Sequence, residues 1–292
     1  MITRYNDIIS DKINTTITIA LFSDIHYNYN FKIERFEQIY NDLLENNIDY
    51  ICIPGDIIDM TNIINDKRLL NELLYFFEDI EKIAPVIISL GNHDISKLIN
   101  NKWYQDYNFE IFEKLSKFKN IHILNNDIFE TKEIRFIGYT LPFNYYFNDT
   151  GIESECILIE DFIKKIPYIK NDKLNILLCH SPICIFNDNV LKSINSLKNV
   201  RLILTGHMHN GMIPGLIDEI FGGNKGIIYP NKKLFPKYAR GITNTTINNN
   251  DISMIITGGI TKVQESAPKK LQFLDNLYQS QINYIKIKSL KK

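Results

Sequence analysis

Cysteine is scarce in this sequence, and the few cysteines present form no recognisable framework. Cys52, Cys156, Cys179 and Cys184 show neither CxxC spacing nor a regular repeat. Three of them lie within or beside apolar runs, where cysteine is usually a small buried hydrophobe. A disulfide-stabilised secreted fold and a thiolate metal site are both disfavoured, and a reducing compartment fits best.

Long apolar runs are also missing. No stretch reaches the roughly 18 apolar residues that a membrane-spanning helix needs. The first sixteen residues lack the apolar core of a secretory signal. We therefore expect a cytoplasmic protein without a transmembrane segment.

The sequence has no excess of either charge. Its 33 basic and 34 acidic residues give a net charge of −1, whereas proteins that bind nucleic acid through phosphate contacts usually carry a basic excess. The composition therefore gives no strong nucleic-acid signal. A local basic groove stays open at 231–240, which contains Lys232, Lys233, Lys237 and Arg240, although such a run is more often a solvated face.

What the sequence does contain is an alternation of short apolar runs with longer amphipathic ones. Strands are predicted at 16–24, 49–56, 85–94, 120–127, 134–140, 173–182, 200–207, 251–260 and 281–288. Helices are predicted at 31–45, 67–83, 154–165 and 188–197. Strand–helix–strand units imply mostly parallel strands, so we predict an α/β fold in which helices flank two sheets, within one domain spanning 1–292.

Residue types that bind metals follow five of these strands. They stand at 23–26, 55–59, 91–94, 179–182 and 206–209, and they include all the histidines except His122. His122 itself is expected to be structural. Each segment alone is commonly a turn or a helix cap. Because ligand sites in α/β sheets form beyond the carboxyl ends of strands, the five together indicate one site.

The chemistry of this set favours metal ions. Asp24 and His26 are two residues apart, as are His207 and His209, so each pair would share one side of an extended strand. Imidazole and carboxylate without thiolate suit Mn²⁺, Fe or Zn²⁺, whereas Mg²⁺ prefers more oxygen ligands. There are more candidate ligands than one ion takes. Two divalent ions sharing a carboxylate are an arrangement that hydrolyses phosphate esters.

The ordered motifs resemble those of the calcineurin-like metallophosphoesterases. They are DIH (24–26), GDIID (55–59), GNHD (91–94), His180 and GHMH (206–209). The resemblance implies a four-layer α/β/β/α sandwich with two central mixed sheets. The segment beyond the last motif is similar to the YkuE/YaeI-type subgroup, which keeps an element like PKYARGI (236–242), but Asn210 and Met212 depart from that pattern.

The resemblance also implies a role for each motif residue. The first ion would be bound by Asp24, His26 and His209, the second by Asn92, His180 and His207, and Asp56 would bridge the two. His93 would be the catalytic acid, Asp59 would orient it, and Asp94 would anchor the loop.

The implied reaction is the attack of a metal-activated hydroxide on a phosphate monoester or diester. A small-molecule or lipid-linked phosphodiester or pyrophosphate is a candidate substrate, and a nuclease acting on DNA or RNA is the alternative. A scaffold without activity is disfavoured, because every ligand position is filled.

Three further segments are candidates for shaping the substrate pocket. The aromatic-rich segments 101–112 and 140–151 would either cover a ligand or pack on the domain. The apolar segment 211–223 follows the GHMH motif and would line an acyl or nucleotide pocket, or contact a membrane surface peripherally.

Overall fold

Two six-stranded mixed β-sheets form the centre of the fold. The computed structural model describes residues 1–59, 63–100, 102–106, 109–147, 161–162, 164–166, 169–182, 195–213, 224–228, 234, 238–247, 250–261 and 279–290. In spatial order, the first sheet contains β1 (Ile2–Ser10), β14 (Gln281–Ser289), β2 (Ile17–Leu21), β3 (Tyr50–Pro54), β4 (Val86–Ser89) and β7 (Ile121–Leu124). The second contains β12 (Gly241–Ile247), β13 (Asn250–Ile256), β11 (Leu202–Thr205), β10 (Leu174–Cys179), β9 (Ile134–Tyr139) and β8 (Asp127–Glu130).

Parallel pairing dominates the centre of each sheet. Strands β2, β3, β4 and β7 are parallel to one another, as are β9, β10, β11 and β13. Antiparallel pairs join β14 to β2, β12 to β13 and β8 to β9. The parallel strands all end at the same edge of their sheet, so the loops that follow them are brought together.

The two sheets pack face to face around a shared aliphatic core. Leu21 and Ile87 of the first sheet belong to the same buried cluster as Leu178 and Leu204 of the second. All residues of β4, β10 and β11 are buried. Strands covered on both faces are continuously apolar, which is why the sequence showed unbroken runs rather than alternation.

Helices cover the outer face of each sheet. On the first sheet these are α1 (Glu34–Glu45), α2 (Lys67–Glu81) and α3 (Phe109–Leu115). Asp66 caps α2 by accepting hydrogen bonds from the backbone N–H groups of Arg68 and Leu69. On the second sheet, Phe162 and Leu197 of helical segments belong to its outer buried cluster. The predicted four-layer α/β/β/α sandwich is confirmed.

Some predictions fall partly outside the described residues. Of the helix predicted at 154–165, residues 161–162 and 164–165 are helical. Of the helix predicted at 188–197, only 195–197 are described, within a 3₁₀ turn. None of the described helices combines the length and the apolar character needed to cross a bilayer. That 1–292 forms a single domain stays a prediction.

Several elements carry no apolar periodicity, and the sequence pattern did not predict them. Strand β1 is paired along all nine residues with β14, yet several of its side chains are polar and exposed. The hairpin of β5 (Ser96–Ile99) and β6 (Lys102–Gln105) lies mainly at the surface, and α4 (Phe143–Phe147) has only five residues. These elements form through main-chain pairing and local packing, so they leave a weak signal in the sequence.

The strands also end earlier than predicted. Strand β2 ends at Leu21 and β11 at Thr205, so the site residues that follow lie in loops. The backbone φ angles of Asp24 and His26 are 53° and 47°, and those of His207 and His209 are 67° and 46°. The expectation that each pair shares one side of an extended strand is therefore wrong. These residues adopt left-handed conformations, and the loop turns aim their side chains.

Candidate metal centre

Loops at the carboxyl ends of both sheets bring the predicted site residues together. These loops follow β2, β3 and β4 of the first sheet and β10 and β11 of the second. The residues concerned are Asp24, His26, Asp56, Asp59, Asn92, His93, His180, His207 and His209. All of these side chains are buried except that of His207, which is half-buried. Such a density of buried ionisable groups requires strong mutual interaction or a bound cation.

Asp24, His26 and His209 form a first group of candidate ligands. Their ligand atoms lie within 4.8 Å of one another. Asp24 Oδ1 is 3.8 Å from His26 Nε2 and 3.7 Å from His209 Nε2. Those separations are too long for hydrogen bonds. They match the roughly 3–4 Å between two ligands that each lie about 2.1 Å from one ion.

Asp56, His180 and His207 form a second group. Their ligand atoms also lie within 4.8 Å of one another. Asp56 Oδ2 is 3.1 Å from His180 Nε2, and His180 Nε2 is 3.2 Å from His207 Nδ1. The neighbours His207 and His209 therefore belong to different groups, as the resemblance implied.

Asp56 faces both groups. Its Oδ2 atom lies 3.6 Å from His26 Nε2 of the first group and 3.1 Å from His180 Nε2 of the second. Its Oδ1 atom accepts a hydrogen bond from the backbone N–H of His93 at 2.9 Å. One carboxylate oxygen is thus held by the main chain, while the other points between the two groups.

Backbone carbonyls fix the orientation of two of the histidine rings. His180 Nδ1 lies 2.7 Å from the carbonyl oxygen of Pro54, and His209 Nδ1 lies 2.9 Å from that of Thr261. A proton on Nδ1 would complete each hydrogen bond and leave Nε2 as the ligand atom. This arrangement is common around metal-binding histidines, where an outer partner sets the tautomer.

The charges of the two groups are mutually dependent. Burial would raise the pKa of Asp24, but His209, His26 and His180 outweigh it and hold that pKa well below its usual value. Burial would lower the pKa of His180, but Asp56 raises it to about 9. Burial and then the nearby His180 lower the pKa of His207 to about 3. Without a bound cation, the Asp24 carboxylate is therefore anionic and His207 is neutral, whereas His180 carries a proton that a metal ion would displace.

Left-handed backbone is concentrated at this site. Asp24, His26, Asp56, His207 and His209 all have φ between 46° and 67°. Each such residue costs free energy and persists only where its surroundings determine it. Two hydrogen bonds between loops help to hold these left-handed conformations. Asp24 N–H donates to the Gly55 carbonyl at 3.2 Å, and His26 N–H donates to the Asp56 carbonyl at 3.1 Å.

Asp94 anchors two of the loops, the role that the resemblance implied. Its carboxylate accepts hydrogen bonds from the backbone N–H groups of Asp56 at 2.7 Å, Gly91 at 2.8 Å and Ile57 at 3.0 Å. A side chain at Gly91 would collide with Asp56, since a Cβ there would stand 2.5 Å from the Asp56 amide nitrogen. Burial and the nearby Asp56 carboxylate raise the pKa of Asp94 to about 6.

His93 and Asp59 form a pair beside the first group. Together with His26 they make a third set whose ligand atoms lie within 4.8 Å of one another. His93 Nδ1 lies 3.1 Å from Asp59 Oδ1, and both side chains are buried. The His93 ring makes an edge-to-face contact with His26 at a centroid distance of 4.6 Å. Asn28, which no motif marked, donates through Nδ2 to the His26 carbonyl at 2.8 Å and lies 3.4 Å from Asp59 Oδ2.

Aromatic side chains from the two predicted loop segments border the site. Trp103 of β6 contacts the His93 ring at 5.3 Å and stacks on Phe147 of α4 at 4.7 Å. Tyr146 contacts the His207 ring at 5.4 Å. The sequence marked these segments as aromatic-rich but not which rings meet the histidines. Of the apolar segment 211–223, residues 214–223 lie outside the described residues.

The donor set fits divalent metal ions. Within the described part of the chain, the buried Nε2 atom of His26 and the buried Oδ1 atom of Asn92 have no hydrogen-bond partner. Buried polar atoms are rarely left in that state, and metal coordination would satisfy them. Nitrogen and carboxylate ligands without sulfur suit Mn²⁺, Fe or Zn²⁺.

The sandwich fold, the loops at one edge and the two ligand groups define the class of metal-dependent phosphoester hydrolases. This chain belongs to the calcineurin-like phosphoesterase family, whose model matches residues 17–211. That range contains every predicted site residue, so the family resemblance is confirmed.

Individual relatives share only a minor part of their residues with this chain. Uncharacterized protein L509 of Acanthamoeba polyphaga mimivirus is 31% identical over 72% of this chain and 68% of its own length. An SbcCD nuclease subunit of Staphylococcus epidermidis is 30% identical over 45% of this chain, and the match spans only 35% of that protein. A dimetal phosphatase from Danio rerio has a TM-score of 0.44 at 14% identity, over 84% of this chain and 88% of its own.

Replacing Asp94 with alanine is expected to destabilise the fold. The change would leave the amides of Gly91, Asp56 and Ile57 without this buried acceptor, and each such loss costs about 1–3 kcal/mol. Urea unfolding of the metal-free protein measures the free energy of unfolding. Asp79→Ala is the control, because Asp79 is exposed and, within the described residues, its side chain pairs with Lys82 at the surface. Equal stability of the two variants would show that Asp94 is not an anchor.

Proposed function

We propose that this chain hydrolyses phosphate esters at a dinuclear metal centre. Asp24, His26 and His209 bind the first ion, Asn92, His180 and His207 bind the second, and Asp56 bridges them. The observation that supports this best is the position of Asp56 Oδ2, at 3.6 Å from His26 Nε2 and 3.1 Å from His180 Nε2. Manganese is the ion that we would supply first, because it accepts this mixture of nitrogen and oxygen ligands.

Asn92, His93 and Asp59 have separate roles in the proposed reaction. When bound, the two ions lower the pKa of water so that a hydroxide nucleophile forms near neutral pH, and they neutralise the phosphoryl charge. Asn92 contributes an amide oxygen beside the reacting phosphate. His93 gives a proton to the leaving oxygen, and Asp59, at 3.1 Å from His93 Nδ1, orients the ring.

The shared role of Asp56 can be tested by metal analysis. Asp56→Asn keeps the size of the side chain but removes the negative charge between the groups, so both ions should be weakened or lost. Elemental analysis after dialysis against Mn²⁺ measures the ions retained per chain. Asp79→Asn at the surface should retain the wild-type number. Two tightly bound ions in Asp56→Asn would refute the bridge.

The role of His93 can be tested by kinetics. His93→Ala should lower kcat by about 10²–10⁴-fold, the usual contribution of a general acid, while the metal content stays unchanged. The loss should be larger for an alkyl phosphate than for p-nitrophenyl phosphate, because nitrophenolate leaves without protonation.

The matched control for His93 is His122→Ala. His122 lies in β7 and stacks on Phe129 at 3.7 Å, away from the centre. Its replacement should leave kcat unchanged. If His93→Ala lost activity equally with both leaving groups, His93 would not be the acid.

We propose a small phosphate monoester or diester as the substrate, with a lipid-linked phosphodiester or pyrophosphate among the candidates. Trp103 contacts the His93 ring and Tyr146 contacts the His207 ring, so a bound substrate would meet aromatic side chains. The cytoplasm is the proposed compartment, because the four cysteines form no regular framework in the sequence.

A nuclease is the second candidate. It is favoured by the similarity to the SbcCD nuclease over 45% of this chain. The net charge of −1 argues against it, because nucleic-acid binding depends on basic side chains. The basic segment 231–240 lies mostly outside the described residues.

Substrate assays separate the two candidates. With Mn²⁺ supplied, we expect hydrolysis of p-nitrophenyl phosphate or bis-p-nitrophenyl phosphate and no cleavage of single-stranded DNA. His93→Ala serves as the control against a contaminating activity. Cleavage of DNA that is lost in this variant would establish the nuclease instead.

A further inference from the structure

A sixth loop, which no sequence motif marks, supports the first ligand group. It comprises residues 257–261 and follows β13 of the second sheet. Thr257 N–H donates to the Thr205 carbonyl at 2.9 Å, and Ile260 N–H donates to the Ser23 carbonyl at 2.9 Å. This loop therefore leaves the second sheet and hydrogen-bonds to the loop that follows β2 of the first sheet.

Thr261 is the last described residue of this loop. It hydrogen-bonds to three residues of the first group's loops through three different atoms. Its N–H donates to the Asp24 carbonyl at 2.9 Å. Its hydroxyl donates to the Ile25 carbonyl at 2.7 Å. Its carbonyl oxygen lies 2.9 Å from His209 Nδ1. The Thr261 side chain is buried, at 4% exposure.

The geometry points to Thr261 as a positioning residue for the first ion of the proposed centre. The amide and hydroxyl bonds hold the turn at 24–26, where Asp24 and His26 have left-handed φ angles of 53° and 47°. The carbonyl selects the His209 tautomer with Nε2 available. One residue thus orients ligands from both sheets.

Helix α1 also contributes a hydrogen bond to Thr261. Arg35 Nη1 donates to the Thr261 hydroxyl oxygen at 3.0 Å. The hydroxyl therefore donates to Ile25 and accepts from Arg35 at once, which fixes its rotation. A hydroxyl held in this way constrains the loop more strongly than a single hydrogen bond would.

Within the described residues, the hydrogen bonds from Thr261 to the site go to the loops of the first group. The second group has a different outer contact, between His180 Nδ1 and the Pro54 carbonyl. Removing the Thr261 hydroxyl should therefore affect one ion and not the other. This inference rests on the proposed dinuclear centre, so the test includes a measurement that needs no metal.

The variant is Thr261→Val, which keeps the shape and the backbone groups but removes the hydroxyl. It is combined with His207→Ala, which disables the second group, and separately with His26→Ala, which disables the first. Mn²⁺ affinity is measured by electron paramagnetic resonance of the free ion. In the His207→Ala background, Thr261→Val should weaken Mn²⁺ binding by about 10- to 100-fold, the usual effect of losing an outer contact.

The His26→Ala background should show no effect of Thr261→Val. Equal weakening in both backgrounds, or none in either, would overturn the inference. Thr261→Ser restores the hydroxyl and should restore the affinity.

Thr257→Val is the matched control within the same loop. Thr257 is fully buried, and its hydroxyl has no hydrogen-bond partner within the described part of the chain. Removing a hydroxyl that makes no bond should leave Mn²⁺ affinity unchanged. A loss equal to that of Thr261→Val would mean that any change in this loop disturbs the site.

Hydrogen exchange of the metal-free protein tests, without any bound ion, whether Thr261 positions the turn at 24–26. Thr261→Val should accelerate exchange of the amides at 24–26, and Thr257→Val should not. If the exchange rates stayed at wild-type values, Thr261 would not position this turn. If the wild type bound no Mn²⁺, the proposed function would fail, while the exchange rates would still decide the role of Thr261.

Discussion

The fold depends on holding several carboxylates and imidazoles together in a buried place. Asp24 and Asp56 are fully buried, and so are His26 and His180. Removing such charges from water is costly unless opposite charges compensate them at short range. The two sheets meet this requirement by ending their parallel strands at a common edge, so that carboxylates from the first sheet face His180 and His209 from loops of the second. The packing of one sheet on the other is thus tied to the electrostatics of the centre.

The sequence predicted the central strands well, for an identifiable physical reason. Strands such as β4 and β10 are covered on both faces, so most of their residues are apolar and the run stands out. Ser89 and Asn175 are the buried polar exceptions in these two strands. Strand β1 was missed because its stability comes from main-chain bonds to β14 and its side chains vary in burial. The composition of such an edge strand differs little from that of a loop.

The candidate site was predictable in its membership but not in its geometry. Histidine and aspartate after several strands were visible in the sequence, and the structure brings them together. The assumed extended conformation of the Asp24–His26 pair was wrong, because the φ angles depend on hydrogen bonds from distant loops such as the one that contains Thr261. Asn28 and Thr261 are common polar residues outside any motif, and only their contacts distinguish them.

The position of β14 has a consequence for how the chain reaches this structure. Strand β14 lies between β1 and β2, so the earliest strand of the chain is joined to its sheet only through one of the last. During synthesis on the ribosome, β1 has no partner strand until residues 281–289 have emerged. Over the same time, the edge of β2 that pairs with β14 has no partner strand either. Contacts between residues so far apart in sequence form slowly. Exposed strand edges invite association with other chains. Strand β1 carries two charged residues, Arg4 and Asp7, and charged side chains on an unpaired strand oppose such association.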